Sequence, residues 1–308
     1  MWRGTVNHGL NFVDLSVYVR RTRQILSTSS KTSMNFSAPL RAIGIGMNNV
    51  DMKDVTGYDS AKQLMAVAAA GGHNILFIGA PGAGKTMLAR RIPSILPALN
   101  PSEQAEVDQV YAARSTALPG RPFRAPHHTV SVRAMQEEVR LAAHGVLFLD
   151  EAPEFSKVVL EAVNGEIARA KDRAPLIVLA ANPCPCGFRG HPQRDCLCSS
   201  KALDVHQQRL NFIARKFACL VVRLDASPTR VKGTSMSSEE IRVHVVEVQA
   251  RLRASVAAWC PDPNESVVVQ KVARTLTVFD NRFCVREEDL DEARTLLCKA
   301  PININVTI

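Results

Sequence analysis

One octapeptide constrains this chain more than anything else in it: Gly79-Ala80-Pro81-Gly82-Ala83-Gly84-Lys85-Thr86. It follows directly on a continuous apolar run, Ile75-Leu76-Phe77-Ile78, and leads into a stretch with helical patterning, Thr86 to Ile95. The pattern G-x-x-x-x-G-K-[ST] between a strand and a helix is the signature of a phosphate-binding loop. Its glycines allow the partly left-handed backbone that aims successive N–H groups at phosphate oxygens. The following helix N-terminus adds partial positive charge. Gly79, Pro81, Gly82, Ala83 and Gly84 would form the cradle, Lys85 would reach the β- and γ-phosphates, and the Thr86 hydroxyl would ligate Mg²⁺. A ligand-free glycine turn is the bland alternative; the strand-to-helix context argues against it.

The apolar patterning extends this start into a sheet. Val146 to Leu149, Leu176 to Ala181 and Cys219 to Val222 are further short apolar runs; Thr86 to Ile95 and Lys157 to Ala170 read as helices between them, and Ala61 to Ala70 as a helix ahead of the first. Buried strands alternating with helices predict an α/β parallel-sheet core. After Lys232 the period changes. Ser237 and Glu240 fit a capping box, and three helical seams follow: Ile241, Val245, Val248, Leu252 and Val256; then Val268, Val272, Leu276 and Phe279; then Leu290, Ala293 and Leu297. The expected organisation is a poorly ordered basic extension over 1–45, an α/β core over 46–232 and a small all-helical unit over 233–300. A 46% hydrophobic content suits a full core, and no run approaches the roughly 18 apolar residues of a spanning helix.

The second half of a nucleotide site is legible at Asp150-Glu151. An apolar strand ending in Asp places its carboxylate at the carboxyl edge of the sheet, where open α/β folds bind ligands. Asp150 would hold Mg²⁺ through water, and Glu151 would polarise an attacking water. Asn182, at the end of the next strand, would orient the γ-phosphate or that water. Singly, Asp-Glu and Asn at strand ends are ordinary turn residues; behind a phosphate loop they read as hydrolytic machinery.

Charge and cysteine are both unevenly distributed. Net charge is +5 over 1–50, zero over 51–186, +6 over 187–232 and −2 over 233–308. Basic blocks suit a polyanion, whose phosphates release counterions when neutralised, and equally suit a plain soluble face. Arg189, Arg194, Lys201 and Arg209 are the basic candidates for DNA in the +6 stretch. Of the eight cysteines, Cys184, Cys186, Cys196 and Cys198 are crowded together, while Cys219, Cys260, Cys284 and Cys298 are scattered. The absence of an even framework predicts a reducing, cytoplasmic setting. The cluster offers either a structural Zn²⁺ site with four thiolates, His191 being able to replace one, or four free thiols in a loop. Residues 1–33 are Arg- and Ser-rich with Asp14 as their sole acid; an organellar transit peptide and a true start at Met34 are alternatives to a functionless extension. Adjacent His127 and His128 would point apart on extended chain, so they predict a structural or subunit-contact role rather than one metal site. Arg121 and Arg124 read by default as residues of a solvated loop, with contact to DNA or to a neighbour's phosphate as the alternative.

Several longer strings carry a family resemblance: Ala68-Ala69-Ala70-Gly71-Gly72-His73-Asn74, Arg121-Pro122-Phe123-Arg124-Ala125-Pro126-His127-His128-Thr129, Gly145-Val146-Leu147-Phe148-Leu149-Asp150-Glu151-Ala152-Pro153-Glu154-Phe155, and Ala181-Asn182-Pro183-Cys184-Pro185-Cys186-Gly187. In these the chain resembles the AAA+ ATPases of the magnesium-chelatase type, specifically the ComM/YifB competence proteins, from about Asp51 to Leu297. The resemblance implies a P-loop NTPase core with a helical lid and a homo-oligomeric, hexameric ring using ATP and Mg²⁺. It implies Asp150 and Glu151 as the Walker B pair, Asn182 as sensor 1, and Val55 and Gly57 at the edge of the adenine pocket. It implies a motor acting on DNA in branch migration; a chelatase-like subunit for porphyrin metallation and an ATP-holding module with little turnover are the alternatives. The departures imply a reduced relative. A Lon-protease-like N-terminal domain has no counterpart in the leading residues, and Val130–His144 lacks a glycine-rich insertion. The stretch Phe155–Pro175 is short for an added hairpin. Lys216 falls where the family has its arginine finger, and Asn264 where it has the lid arginine. Because arginine's fork is not replaced by Lys or Asn, these departures favour ATP binding over rapid hydrolysis.

Overall fold

The computed structural model describes residues 50–112, 120–224, 236–254, 265–282 and 284–297, all within the unit Leu40–Ile308. The expected N-terminal extension up to residue 45, Val256, Cys260, Asn264 and Cys298 lie outside the described residues.

Five strands form one sheet: β1 Ile75–Gly79, β2 Phe123–Arg124, β3 Val146–Leu149, β4 Leu176–Ala181 and β5 Leu220–Leu224. Every pairing is parallel and the order is β2-β3-β4-β1-β5. All residues of β1, β3 and β4 are buried, as continuous apolar runs require when both faces are covered. The helices are α1 Asp59–Gly71, α2 Lys85–Ala89, α3 Ile92–Ile95, α4 Pro101–Ala112, α5 Val132–Leu141, α6 Lys157–Ala170, α7 Ser200–Lys216, α8 Ser238–Ala254, α9 Val267–Phe279 and α10 Glu287–Leu296. One core cluster joins Leu76, Leu147 and Ile177 of the sheet to Met135 of α5, Leu160 of α6 and Ile213 of α7.

Three local outcomes differ from expectation. The helix expected over Thr86–Ile95 is broken into α2 and α3, with Pro93 just inside α3. Proline cannot donate to the carbonyl four residues back and its ring collides with it, so the first helix stops at Ala89. The two-residue edge strand β2 was too short for periodicity to show. In α9 the buried seam uses Val269, Val272, Leu276 and Phe279, leaving Val268 exposed.

Side chains far apart in sequence hold this frame. Asn74, one residue before β1, donates from Nδ2 to the Phe217 carbonyl (2.7 Å) and accepts at Oδ1 from the Ile177 amide (3.1 Å). It thereby ties the start of β1 to β4 and to the end of α7. The capping box at Ser237 forms, with Glu240 Oε2 accepting from the Ser237 amide (2.7 Å). Next to it, Ser238 Oγ accepts from the Met52 amide (2.9 Å), and its own amide donates to Asp51 Oδ1 (2.8 Å). His73 Nε2 meets Thr275 Oγ1 of α9 at 2.9 Å, fully buried. The C-terminal helices are thus hooked to the segment preceding β1. Among the described residues, no helix is long and apolar enough to cross a membrane.

Candidate nucleotide and thiol sites

The carboxyl ends of β1, β4 and β3 bring the expected residues together. Gly82 and Gly84 adopt φ of 81° and 77°, a region that side chains disfavour, and this lets the loop turn back over β1 into α2. Lys85 Nζ donates to the carbonyls of Gly79 (2.6 Å) and Ala80 (2.9 Å) and to Asn182 Oδ1 (3.0 Å). Thr86 Oγ1 donates to Asp150 Oδ2 at 2.9 Å. Partial burial pushes the Lys85 ammonium below its ordinary pKa, opposed by the charges of Asp150 and Glu151.

Glu151 occupies the left-handed region (φ 51°, ψ 45°), where a non-glycine residue costs about 1–2 kcal/mol. Asp150 Oδ1 accepts from its amide at 3.0 Å, and the turn sends the Glu151 carboxylate outward. There it meets His128, with Nδ1 3.5 Å from Oε2. His128, Glu151, Asn182, Cys184 and His206 line one cavity of about 270 Å³. Three contacts near this strand edge were not legible in the sequence. His128 faces Glu151; His206 Nε2 donates to the Asn182 carbonyl (2.9 Å); and the Tyr58 hydroxyl donates to the Ala83 carbonyl within the phosphate loop (3.1 Å). No local pattern announces a pairing across so many residues.

The remaining expected residues take the following places. Val55 is buried, and its carbonyl accepts from Lys62 Nζ. Gly57 has φ 77° beside Tyr58. Lys216 lies in the last turn of α7. Arg121 and Arg124 are not loosely solvated: Arg121 donates to the Pro97 carbonyl (2.6 Å) and to that of His144, and Arg124 forks onto Glu138 (2.7 and 2.8 Å). Arg209 is committed to the carbonyls of Pro153 (3.1 Å) and Phe155, which removes it from the DNA candidates. Arg194 and Lys201 are exposed, with Arg194 lying 5.0 Å over the Phe188 ring.

The four clustered cysteines converge, although the segment between β4 and α7 has no regular structure. Their sulfurs all lie within 4.8 Å of one another. Cys184–Cys186 is 3.4 Å, and Cys186–Cys196 and Cys196–Cys184 are each 3.6 Å. Zn–S bonds of about 2.3 Å in a tetrahedron give edges of about 3.8 Å, so this donor set fits Zn²⁺. Backbone amides of Arg189 and Cys186 point at the sulfurs of Cys184 (3.3 Å) and Cys198 (3.4 Å), the outer-shell donors a thiolate ligand uses. The Cys186 thiol is drawn down to about 6, first by the Phe188 amide, while burial pushes Cys184 up to about 12. His191 is turned aside, its Nδ1 accepting from the Gln193 amide (3.1 Å).

A parallel sheet with a phosphate loop on an interior strand, and acidic and amide residues on the two strands beyond it, is the P-loop AAA+ fold. Residues 51–227 match the family described as "Magnesium chelatase, subunit ChlI", and the chain belongs to that family. It is 40% identical over 182 residues to "Competence protein ComM" of Haemophilus influenzae, covering 51% of this chain and 34% of that relative. It is 35% identical over 303 residues to "Uncharacterized protein YifB" of Escherichia coli, covering 79% and 59% respectively. An uncharacterized protein of Mycobacterium tuberculosis is 41% identical over 177 residues, 49% of this chain and 35% of its own length. The chain therefore spans between about a third and three-fifths of the relatives it matches.

Proposed function

We propose that this chain binds ATP·Mg²⁺ at the carboxyl edge of β1, β3 and β4 and hydrolyses it as a ring-forming motor on DNA. One observation carries the nucleotide reading: Lys85 and Thr86 already meet Asn182 and Asp150 at 3.0 and 2.9 Å. Phosphate oxygens would take over the carbonyl contacts of Lys85. Thr86 Oγ1 and Asp150 would hold Mg²⁺, which offsets charge on the β- and γ-phosphate oxygens. Glu151 would take a proton from water as that water attacks the γ-phosphorus; the bond to the β-bridging oxygen breaks and ADP leaves. With its Oδ1 engaged by Lys85, Asn182 offers its amide N–H groups to the γ-phosphate or the water. In this reading the helices from Ser238 to Leu296 act as the lid over the nucleotide.

The DNA reading is supported by the +6 stretch, by exposed Arg194 and Lys201, and by a relative named as a competence protein. Binding would be independent of sequence and steeply salt-dependent. The thiols are proposed to hold one structural Zn²⁺, and reduced thiols suit a reducing compartment such as the cytoplasm. Calorimetric titration with Mg·ATPγS, then phosphate release with and without DNA, tests the whole reading. Nucleotide binding with DNA-stimulated turnover supports it. Binding with no turnover in either condition leaves an ATP-holding module, and no binding removes the nucleotide site. Metal analysis of reduced, chelator-free protein should find about one equivalent of zinc.

A further inference from the structure

The thiol cluster and the phosphate loop are in contact. Asn182 ends β4 with its side chain on Lys85 and its carbonyl held by His206 of α7. Two residues later Cys184 is fully buried, and a turn closes as the Gly187 amide donates to the Cys184 carbonyl (2.9 Å). Gly187 has φ +84° and its Cα faces Pro81 of the phosphate loop; a Cβ there would come within 2.7 Å of Pro81 Cδ and 2.9 Å of Cγ. The first cysteine pair therefore lies on the short stretch between Asn182, which touches Lys85, and Gly187, which packs on Pro81 of the phosphate loop. The second pair leads straight into α7 through Ser199, whose Oγ accepts from the Ala202 amide (3.3 Å). Sulfur contacts and the Cys186 amide bond to Cys198 Sγ join the two pairs.

We infer that the four-thiol site is a metal-dependent positioning device for the nucleotide site. With Zn²⁺ bound, it holds Pro81 and Asn182 at the mouth of the phosphate loop, so that metal and nucleotide bind with positive coupling. The inference rests on both readings above, nucleotide at the loop and metal at the thiols. A closed thiolate site orders a segment that has no helix or strand of its own. That order reaches Lys85 through Asn182 and the loop backbone through the Gly187–Pro81 contact. Coupling between two ligands is reciprocal. Metal must raise nucleotide affinity by the same factor by which nucleotide raises metal affinity.

The experiment uses the full chain, zinc-loaded or stripped by chelator under reducing conditions, titrated calorimetrically with Mg·ADP. The stripped protein should bind about tenfold more weakly, within the usual range of coupling factors. Zinc affinity, measured by chelator competition with and without Mg·ADP, should shift by the same factor. In Co²⁺-loaded protein, Mg·ADP should move the thiolate–cobalt absorption bands, and Lys85→Ala should abolish that movement. Gly187→Ala keeps all four thiols; it should retain one equivalent of zinc yet weaken Mg·ADP binding, because a side chain is strained at φ +84° and the new Cβ displaces Pro81. If the stripped chain unfolds, the cobalt and Gly187→Ala arms still decide. Equal Mg·ADP affinity in folded stripped and loaded protein, or cobalt bands indifferent to Mg·ADP, overturns the inference. A zinc-bearing parent that binds no Mg·ADP sinks the nucleotide reading itself; a parent that binds Mg·ADP but carries no metal sinks the metal reading and this inference with it.

Discussion

The two regions flanking Asn182 are organised by different forces. On the phosphate-loop side, Asp150 and Asn182 follow strands locked by parallel ladders, and Lys85 and Thr86, at the start of the helix after β1, bond to them. On the cysteine side there is no ladder. The chain from Cys184 to Cys198 is gathered by sulfur, amide–thiol bonds, local turn and ring contacts, and the close approach of Gly187 to Pro81. The ladder-held region is pre-formed by the core and tolerates changes that leave the core intact. The thiol-held region depends on four side chains, and losing any of them removes its organising centre.

The largest expected effect tests whether the ladder-held side separates chemistry from binding. Glu151→Gln should lower turnover by about a hundred- to ten-thousand-fold while leaving Mg·ATPγS affinity intact, since a water-activating carboxylate acts after the nucleotide is seated. Parental turnover in this variant would remove Glu151 from the mechanism. Next comes Lys85→Ala, expected to cost about 2–5 kcal/mol of nucleotide affinity, because a phosphate would lose its charged partner. Unchanged affinity by calorimetry would refute the loop assignment.

A third prediction probes the core that carries the ladder, away from both sites. Burial first, then the Lys271 charge, pull His73 down to about 4 from an unfolded value near 6.5. Between those values the unfolded chain binds more protons, so this stability is full above pH ~6.5 and drains away as pH falls towards ~4. From pH 7 to pH 5 the loss should be about 2 kcal/mol, read from urea midpoints. His73→Gln should flatten that slope relative to the parent; an identical slope would show that His73 does not set it. The smallest effect sharpens the other side of the comparison. Chelation should raise tryptic cleavage at Arg189 and Arg194 about tenfold, while cuts within the sheet stay rare. Uniform acceleration throughout the chain would mean that the two regions unfold together.

Much of the frame was readable where local chemistry dictates conformation. Strands β3 and β4 and helix α6 fall on their expected residues because unbroken apolar runs and a Ser156 cap leave few alternatives. The interruption between α2 and α3 was also available in principle, since Pro93 states it. Arg121, Arg124 and Arg209 were not readable: whether a guanidinium faces solvent or a backbone carbonyl depends on which loops the fold sets beside it. His128 and His206 were missed for the same reason.

Residue order alone dictates the chemistry at each strand end: a phosphate loop after β1, Asp-Glu after β3, Asn after β4, and two thiol pairs beyond it. Those are local facts, set by spacing and by the few residue types that suit such turns. Strand order is not local. Placing β4 between β3 and β1 is what brings Asn182 to Lys85, and it follows from how the helices cover both faces of the sheet. The approach of Gly187 to Pro81 and of His128 to Glu151 was likewise decided only by tertiary packing, because contacts across long sequence separations form only once the whole core has closed.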